Sequence, residues 1–140
     1  MNIILLEKAN ELIKIFEFAS LGVIDENGYP SVSAVSLHTP ETVAELYLTT
    51  TLDSNKAKRL QKNNKASINC YTTMNNITLV GEVEIFSDEE TKSKYWQKWV
   101  DLGTDIYPAG ITDPNYCLIK FTTKRVSLWI GDEGAEFTLD

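Results

Sequence analysis

The residues with the clearest chemical potential lie together at one strand-to-helix junction. Three consecutive hydroxyl residues, Thr49, Thr50 and Thr51, end a strand-like segment, and Ser54 and Lys56 follow where a helix-like segment begins. The first turn of a helix has N–H groups without intrahelical partners and a partial positive charge, so it favours anions. A hydroxyl and an ammonium at that turn can add charge-assisted hydrogen bonds. The pattern indicates either a phosphate site or an ordinary capped surface helix.

The charge distribution favours a small anionic ligand over a nucleic acid. The chain of 140 residues has a formal net charge of −7 at pH 7. Against this acidic background, positions 53–65 hold a single acid and five basic residues: Lys56, Lys58, Arg59, Lys62 and Lys65. A nucleic-acid-binding protein needs a broad basic face, and one short basic segment does not provide it. We therefore expect no nucleic-acid partner, and an oligonucleotide-binding barrel is the disfavoured alternative.

Several other kinds of site are excluded by the residue types. The sequence has one histidine, His38, which precedes Thr39-Pro40 and is expected in an exposed loop. The two cysteines, Cys70 and Cys117, are far apart and lie in strand-like segments, so they are expected to be buried apolar side chains. No metal site and no nucleophile–histidine pair can be assembled from this set. We therefore name no catalytic residue.

The compartment follows from the apolar segments. No run approaches the roughly 20 apolar residues that a membrane-spanning helix needs. The apolar start of the chain is interrupted at once by Glu7 and Lys8, so it lacks the apolar core of a signal peptide. We expect a cytoplasmic protein that does not bind membranes.

Hydrophobic periodicity and turn residues predict the order of the elements. Apolar residues at helical spacing predict a helix over residues 2–16, and Asn27-Gly28 predicts a hairpin with a type I′ turn. A capping box that begins at Ser87 predicts a helix to about residue 100, with Tyr95, Trp96 and Trp99 as packing residues. The remaining predicted elements are strands 18–25, 29–37, 44–51, 66–72 and 77–86, a helix from 53 or 54 to 64, and a closing hairpin of strands 116–121 and 125–130.

Two segments are predicted to be irregular. Residues 101–115 contain four glycine or proline breakers, and a loop of that length is typically functional or mobile. Residues 131–140 are predicted to be a tail. About seven short antiparallel strands with interspersed helices predict one mainly β domain of the α+β type over residues 1–140. The architecture expected is a small antiparallel barrel with peripheral helices over its openings.

Three segments in order resemble the FMN-binding split-barrel family that includes pyridoxamine-phosphate oxidase, and especially its small general stress protein branch. They are LGVIDENGYP at 21–30, LYLTTTLDSNK at 46–56 and VGEVEIFSDEE at 80–90. They match the family's first hairpin, its strand–Thr–Ser-x-Lys–helix element, and its following strand with a capped helix. With the closing hairpin, the resemblance covers about residues 10–130 and implies an antiparallel split β-barrel of six to seven strands.

The resemblance also implies a cofactor, FMN, held at the interface of a homodimer. The backbone of Ser33, Ala34, Val35 and Ser36 would face the isoalloxazine ring. The three threonines at 49–51 would flank the ring and the ribityl chain, and the Ser54 and Lys56 side chains would hold the phosphate. The partner subunit would close the site with the long loop, at Tyr107 and Pro108, and with the last strand. Alternation places Trp129 on the side of that strand opposite Val126, Leu128 and Ile130, where it could stack on the flavin, fill the dimer seam or be an ordinary edge-strand tryptophan.

Two departures from the family shape the functional expectation. Many relatives carry a phosphate-binding arginine in the strand that matches Ser33–Ser36, and this chain has none there. Residues 131–140 are acidic, whereas true pyridoxamine-phosphate oxidases have a basic substrate-binding segment at their C-terminus. The resemblance therefore implies a flavin-dependent oxidoreductase linked to stress response, with an unidentified small-molecule substrate, and not a true pyridoxamine-phosphate oxidase. The alternatives are a non-catalytic carrier or sensor, and a site for deazaflavin or haem.

Overall fold

The fold consists of seven strands, three α-helices and two short 3₁₀ turns. A computed structural model describes residues 2–100, 107 and 109–139, with the side chains of α3 described up to residue 95. The helices are α1 (Ile3–Leu12), α2 (Asn55–Lys62) and α3 (Glu89–Val100). The strands are β1 (Phe18–Ile24), β2 (Pro30–Thr42), β3 (Glu45–Thr51), β4 (Lys65–Thr72), β5 (Asn75–Phe86), β6 (Tyr116–Ile130) and β7 (Glu133–Thr138). The 3₁₀ turns are Ile13–Ile15 and Gly110–Thr112.

The strands form one antiparallel sheet in the order β3-β2-β1-β4-β5-β6-β7. An additional pairing of β3 with β6 closes the first six strands into a barrel and leaves β7 outside it. The prediction of a mainly β split barrel with peripheral helices is therefore confirmed.

Alternation along the strands fills the barrel as the sequence pattern predicts. On β5, Ile77, Leu79 and Val83 are buried on the predicted face. The helix predicted over 2–16 is present, although its last residues form the 3₁₀ turn, and it places Leu5 and Ala9 in the core. Side-chain burial at period two on the strands and at helical spacing on the helices therefore accounts for a single main core.

The predicted closing hairpin is wrong, because the two strands are one continuous strand, β6. Residues before Lys124 pair with β3 on one side, and residues from Arg125 onward pair with β7. A bulge opposite Val80 and Gly81 leaves Lys124 as an extra residue, so the inward-facing positions shift by one. That shift interrupts the alternation of apolar and polar side chains along the sequence. Because of this interruption, the sequence pattern predicts two strands.

The predicted tail at 131–140 is also wrong, because it contains β7. After a turn in which Gly131 has a φ of +65°, β7 pairs with the end of β6. Its alternate residues Ala135 and Phe137, with Leu139 beyond it, pack against the main core. This alternation was present in the sequence, but acidic residues between the apolar ones concealed it.

Three local predictions need correction. At the first hairpin, Gly28 alone has a positive φ (+83°) among the turn residues, and its N–H donates to the Asp25 carbonyl over 3.1 Å. The turn is therefore a type I turn ended by a left-handed glycine, not type I′. The α3 helix is capped by Asp88, whose carboxylate accepts the Thr91 N–H at 2.9 Å, so Ser87 is not the cap. His38 lies within β2, not in a loop.

Both cysteines are buried free thiols, as predicted. Burial raises the pKa of Cys70 and of Cys117 to about 11. At pH 8 about one thiol in a thousand is then ionised in the folded state. We expect neither cysteine to react with a thiol reagent at pH 8 in the native protein, and both to react after denaturation. Rapid native labelling of either cysteine would contradict the burial.

Candidate functional site

A gap between β2 and β3 forms the centre of the candidate site. The two strands pair from Thr42↔Glu45 to Ser36↔Thr49 and no further. Beyond this point Ala34 and its neighbours pair with β1 alone, while Thr50 and Thr51 pair with β6. The strands therefore part next to Ser36 and Thr49, where the barrel is split.

Lys56 spans this gap. Its Nζ donates to the carbonyl oxygen of Ala34 over 3.0 Å. Ala34 lies two residues before Ser36 on β2, so both residues direct their backbone polar groups to the same side of the strand. Burial lowers the pKa of Lys56, because a partly desolvated ammonium is less favourable. The structure thus brings the predicted phosphate lysine to the strand predicted to face the ring.

The start of α2 lies at the same gap. Ser54 is the N-cap residue, and its Oγ accepts the N–H of Ala57 over 3.2 Å. The same Oγ is 3.3 Å from the hydroxyl of Thr50. The N–H groups of Asn55 and Lys56, in the first turn, have no carbonyl partner within the helix. Hydroxyl, ammonium and helix dipole therefore converge on one side of the gap.

Thr49 is the strongest sign of a missing polar partner. Its side chain is 7% exposed, and its Oγ1 has no hydrogen-bond partner among the described residues. A buried donor left without a partner costs about 1–3 kcal/mol, and because this oxygen is fully buried, a bound molecule can reach it only if the surrounding side chains move. Thr49 lies opposite Ser36, at the point where the two strands part.

The other basic residues of this region contribute less than their number suggests. Arg59 forms an ion pair with Glu26, with Nε and Oε1 2.9 Å apart. That contact lowers the pKa of Glu26 and raises the pKa of Arg59. Lys65 pairs with Glu82. The positive potential near the gap therefore depends chiefly on Lys56 and the helix terminus.

Tyr107 reaches the site from its own chain. Its hydroxyl donates to the carbonyl oxygen of Thr50 over 3.0 Å, and its ring centroid is 5.0 Å from that of Tyr116. Burial is the largest cause that raises the pKa of Tyr107, so its hydroxyl is a donor at neutral pH. Pro108, expected beside it, lies outside the described residues.

Asn115 is a site-forming residue that the sequence did not predict. Its carbonyl accepts the N–H of Leu52 over 2.9 Å, and its Oδ1 accepts the N–H of Asp53 over 3.0 Å. These two residues connect β3 to the cap of α2. The one sequence signal was an asparagine after Pro114, which indicates a turn and not a long-range contact.

Trp129 is not brought to this site within one chain. Thr49 pairs with Leu118, near the start of β6, whereas Trp129 lies at the opposite end of the strand and is 53% exposed. Its neighbours across the sheet are Asn76 and, on the next strand, Tyr71. Trp129 faces away from the buried Val126 and Leu128, as the alternation predicted.

The helix α3 places Tyr95 against the outer face of β3. Tyr95 is buried, stacks on Tyr47 with centroids 4.2 Å apart, and meets the His38 ring edge-on at 4.5 Å. Its predicted packing role is therefore observed. The side chains of Trp96 and Trp99 lie outside the described set.

The fold and this site can be compared with known proteins. A family model described as "Pyridoxamine 5'-phosphate oxidase like" matches residues 5–139. The chain belongs to that family. The predicted relationship to the general stress protein branch is confirmed as well, because a solved structure that is 27% identical to this chain is described as related to general stress protein 26. No curated protein gives a significant match to the sequence.

Three solved structures share this fold. A Clostridium acetobutylicum protein related to general stress protein 26 is 27% identical, with a TM-score of 0.86 over 100% of this chain and 98% of the other. General stress protein 26 from Bacillus anthracis is 20% identical, with a TM-score of 0.74 over 96% and 98% of the two chains. A heme binding protein from Mycobacterium smegmatis is 16% identical, with a TM-score of 0.73 over 95% of this chain and 57% of the other.

Membrane-spanning helices and metal-binding clusters are both absent from the described residues. Within the described residues, no helix has both the length and the apolar character needed to cross a membrane. In the same part of the chain, no group of three or more histidine, cysteine or acidic side chains could hold a metal ion.

Proposed function

We propose that this family member is an FMN-binding protein whose cofactor lies in the gap between β2 and β3. The observation that carries the proposal is the convergence of Lys56 and the capped start of α2 on the point where the pairing of β2 with β3 ends. A phosphate can accept from the Lys56 ammonium, the Ser54 hydroxyl and the first amides of α2. The residues present therefore fit the phosphate end of the cofactor.

The rest of the cofactor would follow β2. Ser33, Ala34 and Val35 pair with β1 but not with β3, so the edge of β2 that faces the gap, where Lys56 contacts the Ala34 carbonyl, can offer backbone hydrogen-bonding groups to a planar ring. Thr49, Thr50 and Thr51 would flank the ring and the ribityl chain. FMN supplies electron or hydride transfer when bound, while the protein binds and orients it. We propose a single domain over residues 1–140, in the cytoplasm.

The oligomer proposed is a homodimer with the cofactor at its interface. Large apolar side chains are exposed on the outer side of β1, β2, β4 and β6: Phe18, Val32, Tyr71 and Trp129, at 60%, 67%, 70% and 53%. Exposed apolar side chains on one face mark interaction surfaces. Trp129 and Tyr107 are the residues proposed to close the site from the partner, although each chain's own Tyr107 already contacts Thr50.

Replacing Val32 by aspartate tests the interface. A charge placed in an apolar interface costs several kcal/mol if it has no partner, so we expect the dissociation constant of the dimer to rise by about a hundredfold or more. Sedimentation velocity across a concentration series measures it. Ile3→Asp is the control, because Ile3 is similarly exposed, at 63%, but lies on α1. A dimer unchanged by Val32→Asp would exclude this face.

Whether the protein is an oxidoreductase or a carrier depends on turnover. Among the described residues, no histidine or carboxylate contacts Lys56 or the hydroxyls of Thr50 and Ser54. The lack of such an acid–base group at the site supports a carrier or sensor as the second candidate function. The test is to load the protein with FMN and follow flavin absorbance after addition of NADH or NADPH. Bleaching with multiple turnovers supports the enzyme, and bound but unreduced FMN supports the carrier.

The identity of the cofactor is tested by stabilisation. We expect FMN to raise the melting temperature of the purified protein more than riboflavin, deazaflavin or haem does. Stabilisation by haem or deazaflavin without any by FMN would replace the flavin proposal by one of these alternatives.

A further inference from the structure

The turn that precedes α2 is held by a residue far away in the sequence. Between Thr51 and Ser54 the chain leaves the barrel, and Leu52 and Asp53 direct their N–H groups to Asn115. The Ser54 N–H donates to the Thr51 carbonyl over 3.0 Å. These three hydrogen bonds fix the orientation of the turn, and Asn115 accepts two of them.

Asn115 is itself fixed by a buried carboxylate. Asp113 is 8% exposed; its Oδ1 accepts the Asn115 N–H over 2.9 Å, and its Oδ2 accepts the Ala109 N–H over 3.1 Å. The ammonium of Lys92, on α3, is 5% exposed and lies 3.4 Å from the Asp113 carbonyl oxygen. The 109–115 segment is therefore anchored to α3 by buried polar contacts, which are expensive to break.

We propose that Asn115 is a positioning residue for the phosphate end of the cofactor site. It holds the turn so that the N-cap hydroxyl and the first amides of α2 face the gap spanned by Lys56. Asn115 does not touch the phosphate. Its side chain acts through the N–H of Asp53, whereas the N–H of Leu52 is held by its backbone carbonyl, which any residue at this position supplies. The inference rests on the proposed FMN site. It adds a residue that lies outside the three segments, 21–30, 46–56 and 80–90, that carry the family resemblance.

The competing explanation is that Asn115 only stabilises the fold. A structural role predicts that its loss weakens the binding of every ligand alike, in proportion to lost stability. A positioning role predicts a selective loss of phosphate recognition, because a displaced turn changes the geometry at the phosphate end alone. The ratio of FMN affinity to riboflavin affinity separates the two, since riboflavin lacks the phosphate.

The test compares Asn115→Ala with Thr112→Ala. Thr112 is the matched control, because its hydroxyl donates to the Ala109 carbonyl over 3.0 Å within the same segment and contacts neither Leu52 nor Asp53. For Asn115→Ala we expect the ratio of FMN to riboflavin affinity to fall about tenfold, with riboflavin affinity changed less than twofold. Thr112→Ala should leave the ratio unchanged. Equal losses for both flavins in Asn115→Ala would overturn the proposal.

A second readout needs no flavin. Amide hydrogen exchange at Asp53 in the ligand-free protein should be at least tenfold faster in Asn115→Ala and unchanged in Thr112→Ala. Unchanged exchange in Asn115→Ala would show that the turn does not depend on Asn115 and would overturn the inference directly. If the unaltered protein binds neither flavin, the proposed function fails and the inference fails with it. This holds even if hydrogen exchange shows that Asn115 fixes the turn before α2.

Discussion

Replacing Lys56 by alanine is expected to weaken FMN binding roughly tenfold to a hundredfold, as follows from the 1.5–3 kcal/mol of a charge-assisted hydrogen bond. Lys56 is the cation that spans the gap between β2 and β3, with its Nζ 3.0 Å from the Ala34 carbonyl. Many relatives have an arginine on the strand that matches Ser33–Ser36, and this chain has none. The phosphate should therefore depend on Lys56 more than it would in those relatives.

The effect should be specific to the phosphate and to this lysine. Riboflavin affinity should change little, because riboflavin has no phosphate. Lys58→Ala is the matched control: it removes a cation from the same helix but from an exposed position, and it should alter FMN affinity less than threefold. Fluorescence titration of the three proteins with both flavins measures these affinities. FMN affinity unchanged in Lys56→Ala would exclude the phosphate assignment.

Replacing Gly81 by alanine is expected to destabilise the protein by about 3 kcal/mol or more, which is a large part of the 5–15 kcal/mol that typically stabilises a domain. An added Cβ at Gly81 would clash with the backbone oxygen of Thr122 and lie 3.0 Å from the Phe121 ring. Because the nearest atom belongs to the backbone, β5 and β6 must separate where the bulge of β6 lies.

Gly22→Ala provides the comparison for Gly81→Ala. Gly22 also lies inside a strand, but an added Cβ there would meet its nearest atoms at 3.8 Å, an ordinary contact. We expect the melting temperature to fall by roughly 10 °C for Gly81→Ala and to remain within a few degrees for Gly22→Ala. Equal melting temperatures for the two variants would mean that β5 and β6 do not approach closely enough at the bulge to exclude a Cβ at position 81.

The grouping of the residues proposed to hold the phosphate could be predicted from sequence because they are local in the chain. Thr50, Ser54 and Lys56 lie within seven residues, and the capping chemistry of a helix start fixes their relative positions. The alternation that places Leu128 inside and Trp129 outside is likewise a local property of a strand. Such patterns predicted most of the elements and the face of each that is buried.

The long-range contacts could not be predicted. Asn115 contacts a turn 62 positions earlier in the chain, and no pattern around Pro114 indicates that partner. The bulge at Lys124 shifted the alternation and divided β6 into two apparent strands. Pro40 favours a loop at His38, but β2 continues to Thr42, and His38 pairs with Tyr47 on β3. Tertiary contacts decided each case.

The measurement that tests the central proposal most directly is a titration of the purified, flavin-free protein with FMN and, in parallel, with riboflavin, followed by flavin fluorescence. We predict saturable FMN binding at least tenfold tighter than riboflavin binding, because Lys56, Ser54 and the start of α2 recognise the phosphate. Failure to bind FMN, or equal affinity for the two flavins, would contradict a phosphate-anchored FMN site in the gap between β2 and β3.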